Sequence, residues 1–370
     1  MENRKKRFFK QFDSTLFFTV ILLSIFGIIA IGSATASNSS GSLPYIRTQL
    51  VSTILGLLAV FLIMKIDYEI LGKFYIPIYV VSIVLLSLTF FFGTGGEEWG
   101  GESWVRIGPV GFQPAEIVKI GVIVSIAKLI EVNQYRLSEP LVFLKIVAFA
   151  GLPIFLILLQ PDFGTAMVYV FFTGVMLFIA GLDLKYFLVS IGALVLSSPL
   201  LWLSLGDYQK NRILNLLDPS RDSQGSGYQV LQSKIAIGSG KIFGMGFLNG
   251  NQTQYGFLPE KHTDFIFAVI GEEFGLLIGL VVIGLMFLLL YRLVIISKSS
   301  RDMFGSLIVV GVAAMMFVHI VENIGMTMGI MPVTGIPLPF LSYGGTFQLT
   351  NMIAIGLVLN ISLKRDNLSF

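Results

Sequence analysis

Residues 259–290 read PEKHTDFIFAVIGEEFGLLIGLVVIGLMFLLL, and this stretch decides the fold. Between Pro259 and Asp264 lie four ionisable side chains: Glu260, Lys261, His262 and Asp264. From Phe265 onward the chain is apolar apart from Glu272 and Glu273. The run exceeds the roughly 20 apolar residues a helix needs to cross a bilayer. Asp264 therefore stands at a membrane boundary, at the end of the only long polar loop. A carboxylate there is costly when buried and useful when it faces a substrate.

The rest of the chain agrees. Its 370 residues are 55% hydrophobic and 13% charged, with mean hydropathy +0.83. A soluble domain cannot hide that much apolar surface, whereas a polytopic membrane protein leaves it facing lipid. Ten apolar stretches are predicted to span: 14–35, 46–65, 73–93, 112–131, 141–159, 164–182, 185–205, 265–292, 303–330 and 344–363. The fold class is all-α and polytopic, one domain over 1–370, with a tail at 1–13 and a long loop at 206–263. The first apolar run is longer than a signal-peptide core and reads as a retained helix. There are no cysteines, which excludes disulfides.

Charge sets the orientation. If the N-terminal tail is cytoplasmic, the inner segments hold Arg4, Lys5, Lys6, Arg7, Lys10, Lys65, Lys73, Lys128, Arg136, Lys145, Lys185, Arg292, Lys298, Arg301, Lys364 and Arg365, which is 16 of the 25 basic residues. Six of the other nine lie in 206–263, and long outer loops weigh less in the positive-inside rule. Both termini are predicted cytoplasmic, and 206–263 with Asp264 outside. A net charge of +3 gives no footprint for nucleic acid.

The long loop contains GYQVLQSKIAIGSGK, where Tyr228, Leu231 and Ile235 recur at helical spacing. A short amphipathic helix at the interface and an ordinary packed loop helix fit equally. Gly238–Lys241 imitates the end of a phosphate-binding loop, but Ile235 and Ile242 stand where that motif needs Gly and Ser or Thr, so ATP binding is rejected. The basic residues Lys210, Arg212, Arg221, Lys234, Lys241 and Lys261 suit either a headgroup-binding face or capture of a phosphorylated lipid. Trp99, Trp104, Tyr255 and Phe257 could stack on sugars or anchor the protein at the interface.

Within the spans, Glu116 and Lys119 in FQPAEIVK are three apart, share a helix face and can pair. Pro114 suits the first turn of that helix. Asp162, in a short turn, either caps the next helix or contacts substrate. Glu272 and Glu273 read as buried polar groups. Gly271, Gly275 and Gly279 read as a close-packing stripe for a neighbouring helix. His262 and His319 are too few for a standard zinc site. His319 reads as a packing residue, and Glu322, one turn on, is a candidate partner. A hard divalent cation (Mg or Mn) shared between Asp264 and substrate phosphate fits the boundary site.

FQPAEIVKI, QPDFGTA, GYQVLQSKIAIGSG, FLPEKHTDFIFAVIGEEFGL and PVTGIPLPFLSYGG, with the ten-helix pattern, resemble the SEDS family (shape, elongation, division and sporulation) over nearly the whole chain. GNQTQYGFLPEKHTDF looks most like its elongation, rod-shape branch. The resemblance implies a peptidoglycan glycosyltransferase that polymerises lipid II with inversion, beside a class B penicillin-binding protein. It places the family's essential aspartate on Asp264 and its helix-borne acid and base on Glu116 and Lys119. Arg106, Gln113, Asp162, Arg212, Lys234, Lys261, His262 and Ser342 are the candidate substrate-binding residues. Ala115, Ser103 and Lys241 depart from the family pattern, and none of them removes a proposed catalytic group. The rival classes are a transporter that flips lipid-linked precursors and a scaffold of a wall-synthesis complex.

Overall fold

The computed structural model describes residues 11–94, 103–107, 110–204, 206–218, 221–222 and 225–364. The basic residues Arg4 to Lys10, Arg365 and Trp99 lie outside the described residues. The chain folds into helices α1 (Ser14–Ala34), α2 (Leu43–Ile63), α3 (Tyr68–Lys73), α4 (Tyr75–Phe92), α5 (Pro114–Val132), α6 (Pro140–Leu158), α7 (Phe163–Ile179), α8 (Leu184–Ser204), α9 (Asp207–Leu217), α10 (Ser226–Ser239), α11 (Asn251–Gln254), α12 (Ile266–Lys298), α13 (Met303–Thr327) and α14 (Gly345–Leu363). Each of the ten predicted spans has its helix. Among the described residues seven are individually long and apolar enough to cross a membrane. Of the other three, α5 carries Glu116, Lys119, Lys128 and Glu131, and α7 and α8 supply shorter apolar runs. The chain is a multi-pass membrane protein.

Three short strands, β1 (Gly93–Thr94), β2 (Trp104–Ile107) and β3 (Val110–Phe112), form an antiparallel sheet in register Gly93↔Val105 and Arg106↔Gly111. The glycine-rich composition of this segment reads as a plain loop, so the sheet is an addition to the all-α expectation.

α13 is the hub, packed against α5, α7 and α12. It is buried along most of its length, with Phe317 exposed, and α14 is buried throughout. The outer helices instead expose aliphatic side chains such as Leu22, Leu58, Val81 and Leu196, as lipid-facing surfaces do. Local caps define several starts: Asp13 accepts from Leu16 N–H (2.9 Å), Asp162 from Thr165 N–H (3.0 Å) and Asp302 from Gly305 N–H (2.6 Å). Asp13 also pairs with Arg292, tying the start of α1 to the far part of α12.

α12 is not one continuous rod. At Gly275 the backbone takes φ +76°, ψ −177°, and the helix breaks. The two ladder bonds that would join Leu276 and Leu277 N–H to the carbonyls of Glu272 and Glu273 are absent. Four bonds to residues 241–246 stand in their place. Leu276 and Leu277 N–H donate to Lys241 O (2.9 Å) and Ile242 O (3.2 Å), while Met245 and Gly246 N–H donate to Glu272 O (2.9 Å) and Glu273 O (3.0 Å). Of the glycine stripe, Gly271 does pack on a neighbouring helix, against Ile237 of α10, whereas Gly275 receives a backbone segment: a Cβ there would collide with Ile242 and Gly244. Glu272 and Glu273 complete the interlock. Glu272 accepts from Gln252 N–H, Thr253 N–H and Thr253 Oγ1 (2.7, 3.0 and 2.7 Å), and Glu273 accepts from Ser33 Oγ and Gln254 Nε2. Both carboxylates are structural, as their positions in the sequence suggest.

The loop helix α10 packs Gly227, Val230, Ser233 and Ala236 inward and leaves Leu231 and Ile235 exposed. One face is therefore an ordinary packed helix. Gly244 is a tight point of the interlock, with φ +82° and the Glu273 carbonyl where a Cβ would go. Gly244→Ala is expected to destabilise the protein by roughly 2–3 kcal/mol through overpacking and left-handed strain. Gly238→Ala, with open space around it, should be neutral or slightly stabilising. Thermal unfolding of the two variants in one detergent checks this; equal midpoints would contradict it.

Candidate active site

The segment leading into α12 is held by its backbone. Three consecutive carbonyls each accept from a donor elsewhere in the chain: His262 O from Tyr343 N–H (2.9 Å), Thr263 O from Ser342 Oγ (2.6 Å) and Asp264 O from Asn323 Nδ2 (2.8 Å). The donors are themselves fixed. Ser342 Oγ accepts from Leu338 N–H (2.7 Å), and the second amide hydrogen of Asn323 goes to Ile336 O (2.8 Å). Ser342 and Asn323 are fully buried. Ser342, a substrate-binding candidate from the sequence, therefore positions the Asp264 segment and has no surface with which to touch a substrate.

The Asp264 side chain is left free. Among the described residues no hydrogen bond reaches its carboxylate, and Gly335 leaves room beside Oδ2, where a Cβ would approach to 3.4 Å. Burial pushes its pKa up to about 7. Glu260 adds to the rise, and the Arg212 guanidinium on α9 opposes it. His262 lies beside Tyr45 and Tyr343, with ring centroids at 5.1 and 5.5 Å, forming an aromatic wall next to Asp264. Burial pushes the His262 pKa down, which keeps the ring neutral at pH 7.

A second cluster lies one layer deeper. Lys119 Nζ donates to Glu116 Oε1 (2.7 Å) and contacts His319 Nε2 (2.8 Å), and His319 Nδ1 lies 3.0 Å from Pro337 O. An ammonium and a carbonyl on opposite ring nitrogens require a neutral imidazole protonated at Nδ1. Lys119 is 1% exposed, so its charge acts on its neighbours and not through water. Gln113 Nε2 donates to Asp162 Oδ2 (2.7 Å), the cap of α7, and Tyr169 OH donates to Ala115 O (2.7 Å). These bonds fix the first turn of α5.

The two clusters meet through α13. His319 and Asn323, one turn apart, grip the adjacent carbonyls of Pro337 and Ile336. α5 and α12 both pack on this helix, so the link between Lys119 and Asp264 runs through it. His319 is a connecting residue, and its partners are Lys119 and Pro337 where Glu322 was expected. Asn323 is absent from the sequence reading. The signal for it was there: a second polar residue four positions after His319, on one face of an otherwise apolar span.

Of the remaining candidates, Arg212 reaches the electrostatic field of Asp264. Lys261 is turned into the fold, donating to Ser37 Oγ and Thr253 O (both 2.7 Å). Lys234 lies against Gly329 at the end of α13. Arg106 is exposed on β2, beside Gly111. Among the described residues no three His, Asp or Glu side chains converge as a ready metal cage.

A polytopic bundle with a free carboxylate clamped at its loop end, and a buried acid–base pair behind it, is an arrangement suited to a membrane enzyme. Residues 13–367 match the cell cycle protein family model of FtsW, RodA and SpoVE. The chain belongs to this family, the SEDS family. It is 35% identical to the peptidoglycan glycosyltransferase MrdB of Escherichia coli K12, over 99% of this chain and 98% of that one. Its fold resembles a chain solved in work on a peptidoglycan synthase complex that coordinates polymerization and crosslinking (TM-score 0.82, 34% identity, 96% of this chain and 99% of that one). It also resembles the rod shape determining protein RodA of Thermus thermophilus (TM-score 0.71, 28% identity, 96% and 97%).

Breaking a buried ion pair from one side leaves an uncompensated charge, at a cost of about 3–5 kcal/mol. Lys119→Met should therefore lower the unfolding temperature sharply. The double variant Glu116→Gln/Lys119→Met should recover most of that stability but not the activity. Full activity in the double variant would reduce the pair to a structural element.

Proposed function

We infer that the chain is a peptidoglycan glycosyltransferase that polymerises lipid II into glycan strands during cell elongation, releasing polyprenyl pyrophosphate. The observation that carries this reading is the Asp264 carboxylate: clamped through its backbone, unbonded at its side chain and held near neutrality. In the reaction the acceptor's 4-hydroxyl attacks the anomeric carbon of the donor. Asp264 takes the hydroxyl proton as the new C–O bond forms. The bond from that carbon to the pyrophosphate breaks on the opposite face, and the pyrophosphate leaves with the electron pair. Arg212 is the cation in the Asp264 field that can meet this developing charge. Lys119 and Glu116, buried together, act at longer range by holding His319 and through it the Pro337 loop.

Asp264 and Glu260 are the carboxylates that would hold a magnesium or manganese ion at this site, as such ions are often bound through one or two carboxylates and substrate phosphate. When bound, the ion would neutralise pyrophosphate charge. The lipid tail has a place in the apolar groove between α4 and α5, lined by Pro77, Ile78, Val81, Leu85, Ile117 and Val118. The sequence count, with 16 of the 25 basic residues in the segments opposite Asp264, supports cytoplasmic termini and a site on the outer face of the cytoplasmic membrane. A class B penicillin-binding protein is the proposed transpeptidase partner.

Purified protein with its partner, given labelled lipid II, tests the assignment. Asp264→Asn should lower polymerisation by roughly 10²–10⁴ while lipid II binding persists. An undiminished rate would remove Asp264 from the chemistry. Polymer formed only after adding a separate glycosyltransferase would point to a transporter or scaffold.

The pH dependence gives a second test. The Asp264 pKa is raised, so the active carboxylate form is lost as pH falls through about 7, and kcat/KM should show its acid limb there. Glu260→Gln removes a group that raises the pKa and should move the limb down. Arg212→Ala removes one that lowers it and should move the limb up. Limbs that stay together, or shift the other way, would show that a different group titrates.

A further inference from the structure

Residues 242–248, Ile-Phe-Gly-Met-Gly-Phe-Leu, contain no ionisable side chain. They belong to the loop segment that fills the break in α12. Their bulky side chains nevertheless point away from the protein: Ile242, Phe243, Phe247 and Leu248 are all exposed, Phe243 by 80%. We propose that residues 242–248 are a membrane-inserted element whose outward side chains contact the acyl chains of the bilayer.

Depth supports this. The carbonyls of Lys241 and Ile242 bond to Leu276 and Leu277, which begin the lipid-facing surface that continues through Leu280 and Val281. From Leu276 to Lys298 the helix runs about 33 Å at 1.5 Å per residue, a full hydrocarbon thickness. The loop therefore joins α12 where that span begins. Phe247 packs at the same junction. Its ring packs on Phe274 at 6.1 Å, and Phe274 packs on Phe26 at 5.2 Å. Phe26 lies eight residues before the end of α1, about 12 Å inside that helix.

Backbone chemistry permits it. Irregular backbone survives at membrane depth only where its polar groups are satisfied by protein, and here Lys241 O, Ile242 O, Met245 N–H and Gly246 N–H all bond to α12. Lys241 is exposed at the head of the segment, where a long amine can reach the headgroups. The outward face is thus continuous with an established lipid-facing surface, and this singles out lipid as the occupant over a protein partner.

The absence of cysteine makes the test direct, because Phe243→Cys carries the only thiol. The variant is spin-labelled and reconstituted, without partner, in vesicles of phosphatidylethanolamine and phosphatidylglycerol; retained transferase activity confirms the fold. Collision rates with oxygen and with a water-soluble nickel chelate are then compared. The expected oxygen-to-nickel ratio matches that of a label at Leu280→Cys and exceeds that of Arg221→Cys several-fold. Phe247→Cys provides an independent second position with the same expectation. Labels at 243 and 247 that respond to nickel as Arg221→Cys does would overturn the proposal in favour of an aqueous loop. Labels shielded from both reagents would overturn it in favour of a protein contact.

Discussion

Backbone hydrogen bonds cannot be left open where no water can complete them, and this constraint shapes the Asp264 end of the molecule. Breaking α12 at Gly275 exposes two carbonyls and two N–H groups. The chain supplies all four partners from one short stretch, 241–246. That solution imposes others. The stretch must come close, hence glycine at 244 and 275. The polypeptide on either side must be fixed, hence Glu272 and Glu273 reaching residues 252–254 and Ser33. The segment carrying Asp264 then leaves this knot in a defined direction, and Tyr343, Ser342 and Asn323 take up its carbonyls.

The charged interior follows a parallel logic. A lysine that is 1% exposed is tolerable because Glu116 and His319 both hold it. Replacing such a pair with apolar residues often costs little, so stability alone does not explain its presence. Its geometry suggests a positioning role. Lys119 orients His319, His319 holds Pro337, and the neighbouring Ile336 carbonyl shares Asn323 with Asp264. The acid–base pair on α5 therefore acts on the Asp264 segment through α13 without touching it.

How much of this could be read beforehand depended on the range of the interaction. The spans were legible because lipid contact requires apolar runs of fixed length. The caps at Asp162 and the pairing of Glu116 with Lys119 were legible because they join residues three apart. The interlock was half visible. Gly238 and Gly240 were noticed as a failed phosphate loop, and Gly271, Gly275 and Gly279 as a helix-packing stripe. One member of the first cluster, Gly240, and two of the second, Gly271 and Gly275, lie at the same junction, which no local pattern can reveal because the two backbones are some thirty residues apart. His319 was assigned to Glu322 by proximity in sequence, and a partner 200 positions away took its place. The strands near Trp104 escaped notice because their pairing is carried by backbone and not by side-chain alternation.

The division between backbone and side chain at Asp264 would also allow the proposed base to be both rigid and reactive. Hydrogen bonds to a carboxylate would stabilise its charged form, pull its pKa down and occupy the lone pairs that must take a proton. Holding the residue through its own carbonyl avoids both effects. Burial alone then sets the pKa high, Arg212 and Glu260 trim it from opposite sides, and the oxygens stay open to a hydroxyl. A base tuned near neutrality is strongest where it still holds its deprotonated form, which is the compromise that general-base catalysis near pH 7 requires. The same arrangement explains why the clamp donors are themselves buried. Any water reaching Asn323 or Ser342 would compete for the carbonyls and loosen the one group whose position matters most.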